Sequence, residues 1–222
     1  DMMDNGDTEK LLKLVEADNI QMYKSDEFTK EFIDKLKIDL NMMKELLKKW
    51  ENVEADPKYD YFLKSLRENP VLKNQKMIIF TESMETAEYL SERLEKEYPS
   101  KVICFTGQSS ELLKKEIKFN FDPSIKEFEQ RNDFDILVTT DVLAEGINLH
   151  RANIIINYDL PWNPTRIMQR VGRINRVGTK FAQIHVFNFF PSTKSNAHLS
   201  LKDNISAKIQ AFHDTLGEDF KY

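Results

Sequence analysis

Short runs of apolar, largely β-branched residues recur through the later part of the chain: Met77–Phe80, Val102–Phe105, Ile136–Thr140, Ile154–Asn157 and Ile184–Phe189. Most lack polar alternation, as strands buried on both faces do. Segments with helical spacing separate several of them: Ser83–Glu97, Ser110–Gln130 and Thr165–Arg176. Ser83 is a natural N-cap for the first, and Asn163-Pro164 supplies a cap and a first-turn proline for the last. Asp122-Pro123 is expected to split the middle one. Strands alternating with helices predict an α/β fold, a parallel sheet with helices on its faces. Working residues in such sheets gather beyond the carboxyl ends of the strands.

The first 70 residues follow a different period. Phe28, Phe32, Leu36, Leu40, Met43 and Leu47 form one stripe of an amphipathic segment from Asp26 to Trp50, a pattern that predicts a packing face. Asp56-Pro57 breaks it, and a short helix is expected over Tyr59–Arg67 before Asn69-Pro70. Near the carboxyl end, Ile205, Ile209, Phe212 and Leu216 share a helical face that Gly217 can terminate. The expected organisation is a helical scaffolding region over 1–70, an α/β domain over 71–192 and a helical extension over 193–222.

Composition narrows the classes. A chain of 222 residues, 41% hydrophobic and 11% aromatic, can bury a real core. Its net charge of −5 argues against a general nucleic-acid-coating protein. Cys104 is the only cysteine, so no intramolecular disulfide or thiolate metal cluster is possible, and its apolar run predicts a buried, inert thiol. No apolar stretch is long enough to span a bilayer and no signal-peptide pattern opens the chain, so no membrane partner and a cytoplasmic location are expected. The opening Asp-Met-Met-Asp-Asn-Gly has the look of a start inside a longer protein.

Against this acidic background, Trp162 to Lys180 contains no acidic residue. Arg166, Arg170, Arg173 and Arg176 recur at steps of four, three and three, which places them on one side of a helix. Ile167, Val171 and Ile174 form a separate apolar flank. With no acid interleaved, no intrahelical salt bridge accounts for the arginines, and arginine's planar fork suits phosphate oxygens.

Two strand-end loops accompany this helix. Phe105-Thr106-Gly107-Gln108 can present a hydroxyl and backbone amides to a phosphate, although the same residues make a plain turn. In Val138–Leu149, Asp141 can cap a short helix, Gly146 permits a tight exit, and Asn148 offers both a donor and an acceptor. This second loop also reads as a capped turn joining two strands. The chain has no Gly-x-x-x-x-Gly-Lys-Ser/Thr phosphate loop, no acidic box beside one and no convincing metal spacing among its histidines. Arginines without a phosphate loop suggest half of a nucleotide site.

The order of these motifs resembles the second RecA-like lobe of superfamily-two helicases and translocases, with the closest look to the Swi/Snf-like branch in its bacterial style. Lys76–Glu82 is similar to the fourth motif of that family, Phe105–Gly107 to the strand-end element after it and Thr140–Leu149 to the fifth. Asn157–Pro164 with Gln169–Arg176 is similar to the sixth motif and its lead-in. The resemblance implies that ATP and Mg2+ are held mainly by a separate amino-terminal RecA-like lobe. This lobe would close over them with Arg173 and Arg176 reaching the γ-phosphate and Arg170 and Gln169 supporting the interface. It implies Glu145, Gly146 and Asn148 at the nucleotide edge. It also implies Thr81, Thr106, Gly107 and Thr140 against the backbone of a nucleic acid, DNA in the first instance and RNA as the variant. Asn175 and Thr179 depart from the family, where an acid and a glutamine are common. Two other readings stay open: an adaptor that retains the shape without a motor, and an unrelated α/β enzyme for a small phosphorylated ligand.

Overall fold

The computed structural model describes residues 23–53, 55–144, 147–175 and 179–190, with Lys13 and Ala207 as isolated positions. The helix expected over Leu199–Leu216 lies outside the continuous described segments. By its internal contacts the chain forms two compact units, one ending at Tyr61 and the other beginning at Phe62.

In the first unit, helix α1 runs from Lys30 to Glu51. Thr29 caps it, its hydroxyl accepting from the Phe32 amide at 3.2 Å, and Lys48 and Lys49 sit favourably in its last turn. Helical periodicity is therefore realised. No residue of α1 is buried. Leu36, Leu40, Met43 and Leu47 remain 49–67% exposed. Amphipathic spacing specifies a face without specifying what covers it. Helix α2, Pro57–Glu68, starts on a first-turn proline, with Asp56 Oδ1 accepting from the Tyr59 amide at 2.9 Å.

The second unit is built on five parallel strands: β1 (Met77–Phe80), β2 (Val102–Phe105), β3 (Ile136–Thr139), β4 (Ile154–Asn157) and β5 (His185–Asn188). Their spatial order is β2-β3-β1-β4-β5, with Phe80 level with Thr139 on one side and Asn157 on the other. Strands β1, β3 and β4 are buried at every position, as uninterrupted Met-Ile-Ile-Phe, Ile-Leu-Val-Thr and Ile-Ile-Ile-Asn require. Cys104 is half-buried in β2 rather than enclosed.

Helix α3 (Met84–Glu97) is capped by Ser83, buries Ala87, Leu90 and Leu94, and lies against β2 and β3. Helix α4 (Glu111–Phe121) is capped by Ser110. Its Ile117 and Phe121 join Ile78, Phe80, Ile103, Leu137 and Ile155 in one continuous core. Each fully buried aliphatic chain in that core contributes about 1.5–3 kcal/mol of transfer free energy. The Ser110–Gln130 stretch divides after Phe121, and only a 3-10 turn at Glu127–Glu129 follows. Asn120 ties the connection down: its buried Oδ1 accepts from the amides of Asp133 (2.8 Å) and Phe134 (3.2 Å).

Helix α5 is shorter than the arginine spacing predicts, Pro164–Val171. Asn163 Oδ1 accepts from the Thr165 amide at 3.0 Å, so the expected cap and first-turn proline are both present. Beyond Val171 the chain continues in tight turns, with Arg173 N donating to Arg170 O and Ile174 N to Val171 O.

Candidate functional site

Parallel strands in register bring four chain segments to one edge of the sheet. Thr106, Thr140, Thr81 and Tyr158 each follow the last residue of β2, β3, β1 and β4, and therefore stand in that order along the carboxyl edge. The chain passes from β3 across β1 to β4, so the edge lies at a reversal of strand order, where parallel sheets open a crevice.

Arg170 occupies the middle of this edge and is completely buried. Its Nε donates to Asp141 Oδ1 at 2.6 Å and its Nη2 to Asp141 Oδ2 at 3.0 Å, a two-pronged grip on one carboxylate. Nη2 also donates to Glu82 Oε1 at 2.8 Å. Nη1 donates to Asn157 Oδ1 (2.9 Å) and to the Asp159 carbonyl (3.2 Å). The guanidinium carbon lies 5.0 Å from the centre of the Phe80 ring. One arginine thus joins the ends of β1, β3 and β4.

Arg166, one turn earlier on α5, reaches the same two carboxylates, Asp141 at 3.2 Å and Glu82 at 3.4 Å, from an exposed position. The absence of acids within the arginine segment is therefore misleading. The partners come from strand ends 25 to 88 residues away. A single cationic face aimed at solvent is not what forms.

Arg173 differs from both. It is partly buried beyond the end of α5, and its Nε is buried without a hydrogen-bond partner. Its carbonyl receives the Leu149 amide at 3.0 Å, which places it beside the exit of the β3 loop. Gln169 is exposed and Asn148 half-exposed, Asn148 with interactions of its own. Arg176, Glu145 and Gly146 lie outside the described residues.

The threonines divide as well. Thr81 is fully buried and its hydroxyl donates to Asp159 Oδ2 at 2.7 Å, so its immediate work is to hold the β4 loop against β1. Thr106 is buried in a turn closed by Ser109, whose hydroxyl accepts from the Thr106 amide at 2.9 Å. A methyl group added at Gly107 would meet only Val142, at an ordinary 3.7 Å. Thr140 retains 8% of its surface at the edge. Below it, Thr139 donates to the Phe105 carbonyl at 2.8 Å and braces β3 against β2.

Glu82, Asn157 and Asp159 lie within the motif segments but receive no role from sequence reasoning. The available signal is position: each stands at or within two residues of a strand's carboxyl end. Asn157 closes an all-isoleucine run, and its Nδ2 donates to Asn188 Oδ1 at 2.7 Å, carrying the network into β5. Among the described residues no group of His, Cys, Asp and Glu side chains converges as a metal site. Glu82 and Asp141 are engaged by arginines, so this edge does not fit a magnesium ion of its own. No helix of the described residues is long and apolar enough to cross a membrane.

The chain matches the model of the helicase conserved C-terminal domain over residues 58–178. It is 36% identical over 145 residues to an uncharacterized ATP-dependent helicase, YqhH, of Bacillus subtilis, covering 65% of this chain and 24% of that protein. It is 35% identical over 150 residues to the ATP-dependent RNA helicase uap56 of Schizosaccharomyces pombe, covering 66% of this chain and 30% of that one. The chain thus spans less than a third of the length of these two relatives. Among solved structures, the C-terminal part of the Fun30 ATPase domain superposes with a TM-score of 0.51 at 24% identity, over 67% of this chain and 47% of that one. The C-terminal domain of the DEAD-box protein Dbp5 gives 0.50 at 24% identity, over 70% and 77%. The sheet and its flanking helices are RecA-like.

Proposed function

We propose that this chain, which belongs to the helicase conserved C-terminal domain family, is the closing lobe of an ATP-driven, Swi/Snf-like motor that moves along DNA. Arg173 is the group it extends toward the γ-phosphate. The observation that carries this reading is the contrast among the arginines. Arg166 and Arg170 are consumed by Glu82 and Asp141, whereas Arg173 keeps a buried Nε with no hydrogen bond. A buried guanidinium nitrogen left without an acceptor costs free energy that an incoming anion can recover.

In this reading Arg170 is a positioning residue. It locks α5 to the ends of β1, β3 and β4, and so fixes where the following turn presents Arg173. Arg176 is assigned to the same phosphate and Gln169 to the lobe interface, with Glu145, Gly146 and Asn148 at the nucleotide edge. Thr140 and Thr106 with Gly107 are assigned to sequence-independent contacts with a nucleic-acid backbone. Thr81 is assigned to that row through its hold on Asp159. ATP and Mg2+ are assigned mainly to a second RecA-like lobe carrying the phosphate loop, a motif this sequence lacks. An arginine finger stabilises developing transition-state charge and is worth about 10³–10⁵ in rate. RNA is the second reading for the track, favoured by the RNA-helicase relative at 35% identity.

The test uses a protein containing both lobes. Arg173→Ala is expected to cut ATP turnover by a factor of about 10³ or more while nucleic-acid affinity stays within a few-fold. Thr140→Ala should weaken stimulation by nucleic acid more than basal turnover. Equal loss of both properties in Arg173→Ala, at matched folding, would assign the arginine to strand grip instead. Stimulation by duplex DNA against single-stranded RNA decides the track. Absence of any ATP turnover in the intact two-lobe protein would leave the adaptor reading.

A further inference from the structure

We propose that the opposite, amino-terminal edge of the sheet carries a second anion site, a cavity that takes a phosphate group between Lys76, Arg151, Lys180 and the side-chain amide of Asn132. The cavity has a volume of about 220 Å3, and among the described residues no aspartate or glutamate lines it. Lys76 immediately precedes β1 and Thr81 immediately follows it, so five residues of extended chain, about 17 Å, separate this cavity from the carboxyl edge.

The charges here are undercompensated. The Arg151 guanidinium donates to three neutral oxygens, the Phe119 carbonyl (2.8 Å), the Arg131 carbonyl (3.0 Å) and Asn132 Oδ1 (2.7 Å). Carbonyl dipoles at the end of α4 offset part of its charge, but none of the three carries a full negative charge. Lys76 is mostly buried, donates to the Phe134 carbonyl, and sits 4.8 Å from the centre of the Phe121 ring. Its one carboxylate, Asp135, is 3.7 Å away and is shared with Lys101 at 3.4 Å. Lys180 adds a third, exposed cation at the rim. Three cations around one cavity, with one shared carboxylate behind them among the described residues, favour a compact anion of more than one negative charge.

Hydrogen-bond geometry supports the same choice. Asn132 has committed its oxygen to Arg151, so its remaining amide donors are available to an acceptor oxygen. The walls are rigid where it matters. Asn120 pins Asp133 and Phe134, and Gln130 Nε2 holds the Ile125 carbonyl at 2.7 Å. This gives a role to the long connection between α4 and β3, which the motor reading leaves unused: it walls the cavity.

The experiment is calorimetric titration of the 222-residue chain with inorganic phosphate at constant ionic strength, with chloride as the matched control and a nucleoside monophosphate as a second arm. Saturable phosphate binding is expected. Lys180→Ala should weaken it about tenfold, the value of one charge-assisted hydrogen bond. Asn132→Asp keeps the acceptor for Arg151 but brings a carboxylate to the cavity, and should abolish binding without loss of fold. Lys76→Met should also abolish it. If the monophosphate binds as tightly as phosphate, the physiological group is a phosphate monoester; if it does not, it is the free ion. Heat that chloride reproduces would mean counter-ion screening only and would overturn the site. Phosphate binding that survives Asn132→Asp or Lys76→Met would overturn it equally.

Discussion

Arg166 and Arg170 bind the same two carboxylates from the same helix, and their predicted worth differs because their burial differs. Arg170 has no exposed surface, Asp141 is 25% exposed and Glu82 35%. Arg170→Met preserves much of the aliphatic stem but leaves Asp141 and Glu82 with only the exposed Arg166 as cation, and takes the donor from the Asn157 oxygen and the Asp159 carbonyl. Removing one partner from a buried ion pair costs about 3–5 kcal/mol, chiefly through the charge left behind. Arg166→Met breaks contacts at 3.2 and 3.4 Å from a side chain 51% exposed. Water can replace it, and the expected loss is about 0–1 kcal/mol.

Urea unfolding followed by far-UV circular dichroism measures both, provided the slope with denaturant stays constant across variants. Since a domain's whole stability is about 5–15 kcal/mol, Arg170→Lys serves as the milder probe. It keeps the charge, loses the planar fork, and should fall between the other two. A double-mutant cycle of Arg170→Met with Asp141→Asn should show strong coupling, because neutralising Asp141 removes part of the stranded charge. Equal losses for Arg166→Met and Arg170→Met, or a loss below about 1 kcal/mol for Arg170→Met, would refute the claim that Arg170 is a buried structural hub.

Three further outcomes are expected. Asn157→Ala should destabilise by about 1–3 kcal/mol, since it leaves an Arg170 donor and the Asn188 oxygen unpaired inside the sheet; denaturant midpoints against an Asn157→Asp control check it. Burial, helped by the negative charge of Glu88 and opposed by a hydrogen bond with Ser91, pushes the Cys104 thiol up to about 11. Alkylation by iodoacetamide at pH 8 should therefore be on the order of a hundredfold slower in the folded chain than in urea, and comparable rates would contradict the assigned environment. Burial also lowers Lys76 to about 8, with Asp135 opposing and Arg151 and Lys101 reinforcing the shift. The unfolded chain then holds more protons than the folded one between about pH 8 and 10.5, so parental stability should rise across that window relative to Lys76→Met and run parallel to it below. A stability difference unchanged between about pH 7 and pH 9.5, in phosphate-free buffer, would exclude that shift.

What the sequence disclosed, and what it withheld, follows the range of the interactions involved. The three central strands β1, β3 and β4 are legible because a strand covered on both faces is apolar along its length, as Ile154–Asn157 shows. Caps are legible because Ser83 and Asn163 bond to amides two or three residues away. The fate of the arginines is not, because Glu82 lies 88 residues from Arg170 and meets it only through the register of β1 with β3 and β4. Local charge balance therefore overstates the free positive charge of this segment: Arg166 and Arg170 are paired with carboxylates, and among the described arginines the proposed phosphate trigger is Arg173 with its unsatisfied Nε. The same logic reverses at the amino-terminal edge. There, Lys76, Arg151 and Lys180 are scattered along the chain, yet the strand starts gather them around one cavity. Charge runs in a sequence indicate where cations are dense; only the sheet's register decides which of them remain available to a phosphate.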